Sequence, residues 1–315
     1  MPSISIVVPT LGSSGTLAEV IAGLERQEPP LDEAEVLIVL DAATPERDRE
    51  PVRRLEASLP LAVHQAERPG ASATRNCGWR AANTPLILFL DDDIVPTPSL
   101  VGEHLSWHRE NPEPEVGVLG AVRWSPRVKV TPFMRWLETG IQFDYATIES
   151  AQVEWQRFYS CNASVKRELL ERVGGFDEER FPFGYEDLEL SRRMSEHGFR
   201  LLYNDAAVGE HLKTETLDSW RGKLPRIAAA ERRFVELYPD EYPYFYERFR
   251  VAAAQPVARG RSGRLTGVVP RQVPWLGRFV WRSYDLVCCQ SLAPDFMAAW
   301  AAAGDARGLT RPSIA

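Results

Sequence analysis

The sequence is poor in cysteine, and none of it is paired in a motif. Cys77, Cys161, Cys288 and Cys289 form no Cys-x-x-Cys, which excludes a zinc ribbon and a thioredoxin-like redox pair. They do not read as a disulfide framework, so reduced thiols in a cytoplasm are expected. Long apolar runs are missing as well: no stretch approaches the ~20 residues that a membrane span needs. The opening "MPSISIVVPT" has no basic start and only a short apolar run, so no signal peptide is expected. Excess basic charge is absent, and a net charge of −7 argues against general nucleic-acid binding. No Gly-x-Gly-x-x-Gly follows the first strand-like run, which disfavours a dinucleotide-binding dehydrogenase. Internal repeats are absent.

What is present is an ordinary globular composition. The 315 residues are 44% hydrophobic and 26% charged, enough for one large domain or two modest ones. Charge is unevenly spread. Residues 1–212 carry 21 Lys+Arg against 34 Asp+Glu, whereas residues 213–315 carry 16 against 10.

The first ninety residues alternate between two periods. "SISIVV", "EVLIVL", "LAVHQ" and "PLILFL" read as buried strands. Between them, Gly15–Gln27, Glu46–Leu59 and Gly70–Asn83 show helical spacing. Repeated β-α-β with near-continuous apolar strands implies a parallel sheet covered on both faces. Ligands of such sheets bind beyond the carboxyl ends of the strands. Further on, Thr97 is expected to cap a helix with Pro98 in its first turn, running to about Arg109. "EVGVLGAVRW" and "FRLLYN" read as strands, and "EDLELSRRMSEHG" and Ser219–Tyr238 as helices.

Four stretches carry chemistry. In "LILFLDDDIVP", a buried strand runs into Asp91, Asp92 and Asp93. In an extended segment Asp91 and Asp93 would face one site together and suit a hard cation such as Mg²⁺ or Mn²⁺. In "RPGASATRNCG", Gly70 opens a helix whose small first turn leaves N–H groups accessible to an anion, with Arg75 one turn on to pair with a phosphate. The same glycines and alanines also suit close helix–sheet packing. In "GYEDLEL", Glu186 and Asp187 stand at a helix start, where they could cap the helix, or Asp187 could take a proton from an incoming hydroxyl. His211 in "VGEHL" gains meaning only beside a metal, where imidazole can complete an oxygen-rich site.

Taken in order, these pieces resemble family 2 glycosyltransferases of the GT-A fold. The matching features are "SIVVPT", Asp41 at the end of the second strand, "GASATRNCG", "FLDDDIVP", "YSCNASVKRELLERVGGFDE" and "FGYEDLELSRR", over roughly residues 3–212. The resemblance implies an α/β architecture with a Rossmann-like nucleotide-binding half over residues 1–95 and a mostly parallel central sheet. An acceptor half over 96–215 and a helical, basic extension over 216–315 would follow. It places Pro9, Thr10, Asp41, Gly70, Arg75, Asp91 and Asp92 at the nucleotide sugar, with Asn162 shaping the sugar pocket. Asp91, Asp93 and His211 would hold Mn²⁺ or Mg²⁺, and Asp187 would be the general base with Glu186 beside it. One departure stands out: the second strand ends "LDAAT" where the family commonly has an Asp-Asp-Gly-Ser-like run, so a contact to the base is lost.

The expected reaction is transfer of a sugar from a nucleoside-diphosphate sugar to an acceptor hydroxyl on a glycan, a lipid-linked molecule or a small molecule. A single displacement would invert the anomeric carbon. Two alternatives use the same residues. One is a haloacid-dehalogenase-like phosphatase with Asp91 as nucleophile and Asp93 as acid/base. The other is a non-catalytic sugar-nucleotide-binding protein. From Arg248 to Arg282 there are eight arginines and no acid, with Trp275, Phe279 and Trp281 nearby. That composition suits an anionic membrane surface, an acceptor carrying phosphate or lipid, or a solvated tail packed on the catalytic domain. A cytoplasmic protein is expected, with peripheral attachment at the inner face on the first of these readings.

Overall fold

The computed structural model describes residues 3–12, 15–28, 34–55, 57–256 and 276–308. It divides into two compact units. The first comprises Met1–Val128 and Asp144–Lys213, and the second Lys129–Phe143 and Thr214–Ala315. The helical unit therefore takes in a short segment that lies, in sequence, inside the other.

The first unit opens with β1 (Ile4–Thr10), α1 (Leu17–Glu25), β2 (Ala34–Leu40), α2 (Glu46–Arg53), β3 (Leu61–Gln65), α3 (Ala71–Ala81) and β4 (Leu86–Leu90). These strands are the apolar runs of the sequence, and β1 and β4 are almost wholly buried. They pair in parallel in the order β3-β2-β1-β4. Parallel pairing requires helical crossovers, and those helices bury both faces of the sheet. Gly78 shows how tightly they pack: a Cβ there would run into the Val7 and Val39 side chains. The one glycine of α3 thus serves close helix–sheet contact.

The chain continues through β5 (Ile94–Pro96), α4 (Leu100–Glu110), β6 (Val116–Trp124), α5 (Pro132–Leu137), β7 (Gln152–Val153), β8 (Asn162–Lys166), α6 (Arg167–Val173), α7 (Glu186–Glu196) and β9 (Arg200–His211). The sheet extends as β4-β8-β6-β9-β5, with β7 also on β9. Here β8 runs antiparallel to both β4 and β6, and β5 antiparallel to β9. The parallel pattern expected for the centre therefore holds for the first four strands and gives way to a mixed sheet.

Two local expectations are corrected. Thr97 caps no helix. Its N–H and hydroxyl both donate to the Val208 carbonyl, because Ile94–Pro96 join the sheet, and α4 begins after Ser99. Helix α2 stops at Arg53, short of the expected Leu59.

The second unit holds α5, α8 (Leu217–Leu237), α9 (Tyr244–Ala253) and α10 (Leu276–Gly308). Phe249 and Phe296 meet in its core with ring centroids 4.9 Å apart. Buried Glu231 accepts the N–H groups of Phe245 and Tyr246 at 2.7 and 2.9 Å, a carboxylate on the positive end of α9. Asp285 accepts from the Trp136 indole at 2.8 Å and pairs with Arg248 at 2.5 Å.

The reading that nothing approaches a membrane span is revised by α10. Phe279–Gly304 is long and apolar enough to cross a bilayer by length and composition. The same stretch carries Asp285, paired with Arg248, and Asp295, paired with Arg221 at 2.9 Å, contacts that belong to a helix packed within its unit. Of the basic stretch over residues 248–282, residues 257–275, including Trp275, lie outside the described residues.

Candidate active site

The opening strands deliver their carboxyl ends to one edge of the sheet. Thr10 ends β1, Asp41 follows β2 and Asp91 follows β4. The three aspartates do not continue an extended strand. Ile94 N–H donates to the Asp91 carbonyl at 3.1 Å, closing a turn. Asp91 pairs with Arg75 at 2.9 Å. Asp92 accepts from the Thr10 hydroxyl at 2.5 Å. Asp93 faces His211 at 3.8 Å and Lys213 at 4.0 Å. Mutual repulsion is thus relieved by a partner for each carboxylate, and the expected extended backbone over Asp91–Asp93 is corrected to a turn.

His211 is positioned by β9, which pairs with β5 so that His211 lies opposite Ile94, the residue after Asp93. Its Nδ1 lies 3.2 Å from the Lys213 carbonyl, which can only accept. Nδ1 therefore carries a hydrogen, and Nε2 is turned toward Asp93. The Trp124 ring meets the imidazole edge to face at 4.8 Å and fixes its plane. A neutral imidazole nitrogen and a carboxylate that face each other would suit a cation between them. Among the described residues no group of three His, Cys, Asp or Glu side chains converges on one point. A hard cation held by one or two protein groups takes its remaining ligands from water and substrate phosphates, so the donor set fits Mn²⁺ or Mg²⁺ carried with a diphosphate.

The second cluster joins α3 to α7. Arg75 is buried, with one terminal nitrogen on Asp91 and the other 3.2 Å from Glu186. Glu186 and Asp187 open α7 after Gly184 and Tyr185, both with positive φ. Tyr185 has φ 64°, a left-handed conformation that costs a bulky residue about 1–2 kcal/mol. That bend turns the two carboxylates inward. Asp187 accepts the Ser160 N–H through Oδ2 at 3.0 Å, while its Oδ1 is buried without a hydrogen-bond partner. Burial, reinforced by the Asp187 charge and opposed by Arg75, pushes Glu186 up to about 7. Burial also raises Asp187, against the pull of Arg75 and Ser160.

The start of α3 is tied to two other segments. Gly70 N–H donates to Asp41 Oδ2 at 2.7 Å, and Ser72 N–H approaches the Pro182 carbonyl at 3.4 Å. The other Asp41 oxygen accepts Ala43 N–H at 2.7 Å. The Gly70 N–H is therefore engaged by Asp41 rather than held out to an anion. Pro9 is partly exposed beside Thr10. Asn162 is fully buried, donating to the Ala121 and Ala207 carbonyls at 3.0 and 2.9 Å and facing His104 Nε2 at 3.0 Å. With both ends of its amide engaged inside the sheet, it holds strands together; the expected sugar contact is replaced by this one.

Sequence reasoning missed two groups. His104, His108 and Ser164 form a buried chain with Asn162, the Ser164 hydroxyl lying 2.8 Å from a ring nitrogen of each histidine. The spacing of the histidines, one helical turn apart on α4, was the available signal. Tyr145, Tyr159 and Tyr203 gather near Cys161, with Tyr145 5.6 Å from Tyr159 and 5.9 Å from Tyr203. No periodicity links residues so far apart.

A sheet of this topology, with carboxylates gathered at its strand ends and at the start of α7, is the GT-A architecture of nucleotide-sugar transferases. Structural likeness agrees. A mannosyltransferase from Pyrobaculum calidifontis, in complex with GDP-Man and Mn²⁺, matches with a TM-score of 0.55 at 20% identity, over 99% of this chain and 76% of that one. TarS from S. aureus matches with a TM-score of 0.54 at 15% identity, over 99% and 93%. The profile of glycosyl transferase family 2 matches residues 5–174, and that of the N-terminal domain of galactosyltransferase matches residues 145–216. The chain belongs to glycosyl transferase family 2. It is 28% identical to validoxylamine A glucosyltransferase of Streptomyces hygroscopicus subsp. jinggangensis over 278 residues, 78% of this chain and 63% of that protein. It is 25% identical to chondroitin synthase of Escherichia coli over 277 residues, 78% and 39%. The chain thus spans less than two thirds of the length of these relatives. Membership sets aside the phosphatase alternative with Asp91 as nucleophile.

Proposed function

We propose that the protein is a metal-dependent glycosyltransferase that moves a sugar from a nucleoside-diphosphate sugar to an acceptor hydroxyl, with inversion and with Asp187 as general base. The observation that carries this is the bare Oδ1 of Asp187, a buried carboxylate oxygen whose sister atom is held by Ser160 N–H. A base held by one oxygen keeps the other for a substrate proton. Burial raises its affinity for that proton.

On this reading Pro9, Thr10, Asp41, Gly70 and Asp92 stand on the nucleotide side, where the strand ends converge. Thr10 orients Asp92, and Asp41 holds the start of α3 against β2. Asp93 and His211, with Asp91 beside them, would hold Mn²⁺ or Mg²⁺, which supplies neutralisation of the charge that develops on the departing diphosphate. Asp187 Oδ1 takes the acceptor proton as the hydroxyl oxygen attacks the anomeric carbon. The bond from that carbon to the diphosphate oxygen breaks, and its electron pair leaves with the nucleotide. Attack from the face opposite the leaving group inverts the centre.

The donor class is supported by a structural neighbour bound to GDP-Man and by TarS, crystallised with UDP-GlcNAc. The acceptor is a hydroxyl-bearing glycan, lipid-linked or small molecule. The basic stretch over residues 248–282 is assigned to contact with an anionic membrane at the cytoplasmic face. Equal recovery in the supernatant with and without anionic vesicles would remove that assignment.

The deciding experiment incubates the protein with GDP-Man, UDP-GlcNAc and further sugar nucleotides, with Mn²⁺ or Mg²⁺, and measures nucleotide release with and without candidate acceptors. Acceptor-stimulated release of inverted product supports the reading. No metal-dependent release from any donor rejects it.

A further inference from the structure

The sequence reading sends Arg75 toward the phosphates of the donor, but its surroundings point elsewhere. The side chain is only 6% exposed. One terminal nitrogen lies 2.9 Å from Asp91 and the other 3.2 Å from Glu186. Its third nitrogen, Nε, is buried without a hydrogen-bond partner. The Phe176 ring stands 5.9 Å from the guanidinium carbon. Both ends of the fork are engaged, and the carboxylates they hold come from opposite sides of the proposed reaction. Asp91 follows β4 on the donor side, whereas Glu186 opens α7 beside the base.

We infer that Arg75 is a positioning residue, a shared counter-ion that couples the donor-side carboxylate Asp91 to the acceptor-side pair Glu186–Asp187. The inference rests on the glycosyltransferase reading above. One cation held between two carboxylates divides its attraction between them. Whatever draws Asp91 away strengthens the hold of Arg75 on Glu186, and loss of the Glu186 charge tightens its hold on Asp91. Such coupling is reciprocal by linkage. Donor loading at Asp91 therefore firms the start of α7, where Asp187 waits for an acceptor.

The test is a double-mutant cycle. Affinities for Mn²⁺ with UDP and for Mn²⁺ with GDP are measured by calorimetry for the parent protein, Arg75→Gln, Glu186→Gln and the double variant. Folding is followed by circular dichroism, and turnover by nucleotide release from UDP-GlcNAc and GDP-Man. Arg75→Gln is expected to bind metal and nucleotide unchanged or up to about tenfold tighter, because a cation beside Asp91 is gone, while turnover falls about 100-fold. Glu186→Gln is expected to weaken binding about threefold in the parent and to change nothing in the Arg75→Gln background. An arginine that binds phosphate predicts the opposite sign: Arg75→Gln would lose about tenfold or more in nucleotide affinity. That loss, or additive effects in the double variant, overturns the inference. Should Arg75→Gln fail to fold, Arg75→Lys takes its place in the cycle. It is expected to keep parental binding and recover part of the turnover; weakened nucleotide binding by Arg75→Lys overturns the inference. Parent protein that binds neither nucleotide and releases none overturns the glycosyltransferase reading, and the inference falls with it.

Discussion

Asp41 Oδ2 accepts the N–H of Gly70 at 2.7 Å, tying the end of β2 to the start of α3. Gly70 sits there at φ 118° and ψ 152°, and an added Cβ would lie 2.6 Å from the Pro182 carbonyl oxygen. One glycine thus brings three segments together: the end of β2, the start of α3 and the loop before α7.

Gly70→Ala is expected to destabilise the protein by about 2–4 kcal/mol, through left-handed backbone and steric clash together. A urea titration reads this as a lowered midpoint with an unchanged slope. An unaltered midpoint would show that the loop around Pro182 yields freely.

Asp187→Asn is expected to keep donor binding and lose about 10²–10⁴-fold in turnover, the contribution typical of a positioned base. The asparagine amide can still meet Ser160 through its oxygen, so the fold is retained. Nucleotide affinity by calorimetry, set beside release kinetics, separates the two effects. Parental turnover by this variant removes Asp187 from the base role.

Metal use is checked by melting temperature. Mn²⁺ with UDP or GDP is expected to raise it in the parent, since a ligand that binds only the native state stabilises it by mass action. The increment should vanish with EDTA and in Asp93→Asn, and shrink in His211→Ala. An equal increment without metal argues against the Asp93–His211 site.

Stability against pH should report the buried histidines. Burial pulls His104 down to about 4; burial, then Lys166 and His104, pull His108 down to about 2, both from an ordinary 6.5. The folded state therefore binds fewer protons than the unfolded one below 6.5. Stability from this source is full above pH 6.5 and lost as pH falls, by about 2 kcal/mol per histidine between pH 7 and pH 5. Glu186, raised to about 7 from 4.5, acts in the opposite sense: its contribution is present below pH 4.5 and lost as pH rises through 7. Glu186→Gln is therefore expected to steepen the fall in urea midpoint between pH 7 and pH 5. A flat profile in that variant contradicts the neutral histidine pair.

Much of the sheet was legible because buried strands announce themselves. The apolar runs of β1, β2 and β4 became the buried strands of a parallel sheet. The acids at strand ends and the order of the motifs were equally plain, since both are properties of neighbours in the chain. Thr97 was misread because its helix-capping chemistry competes with pairing to Val208, 111 residues on. Asn162 was misread because a polar residue in a motif looks available until the carbonyls of Ala121 and Ala207 are seen beside it. The Asp91–Asp93 triplet was read as extended because the turn bond from Ile94 leaves no signature in residue type.

By itself, the sequence determined the alternation of strands and helices, the placing of acids at strand ends and the family. Tertiary structure alone decided which carboxylate receives which partner. Asp91 is given Arg75, Asp93 is given His211, and one oxygen of Asp187 is left bare. The reason is physical: charge interactions depend on separation in space, and packing sets that separation for residues far apart along the chain.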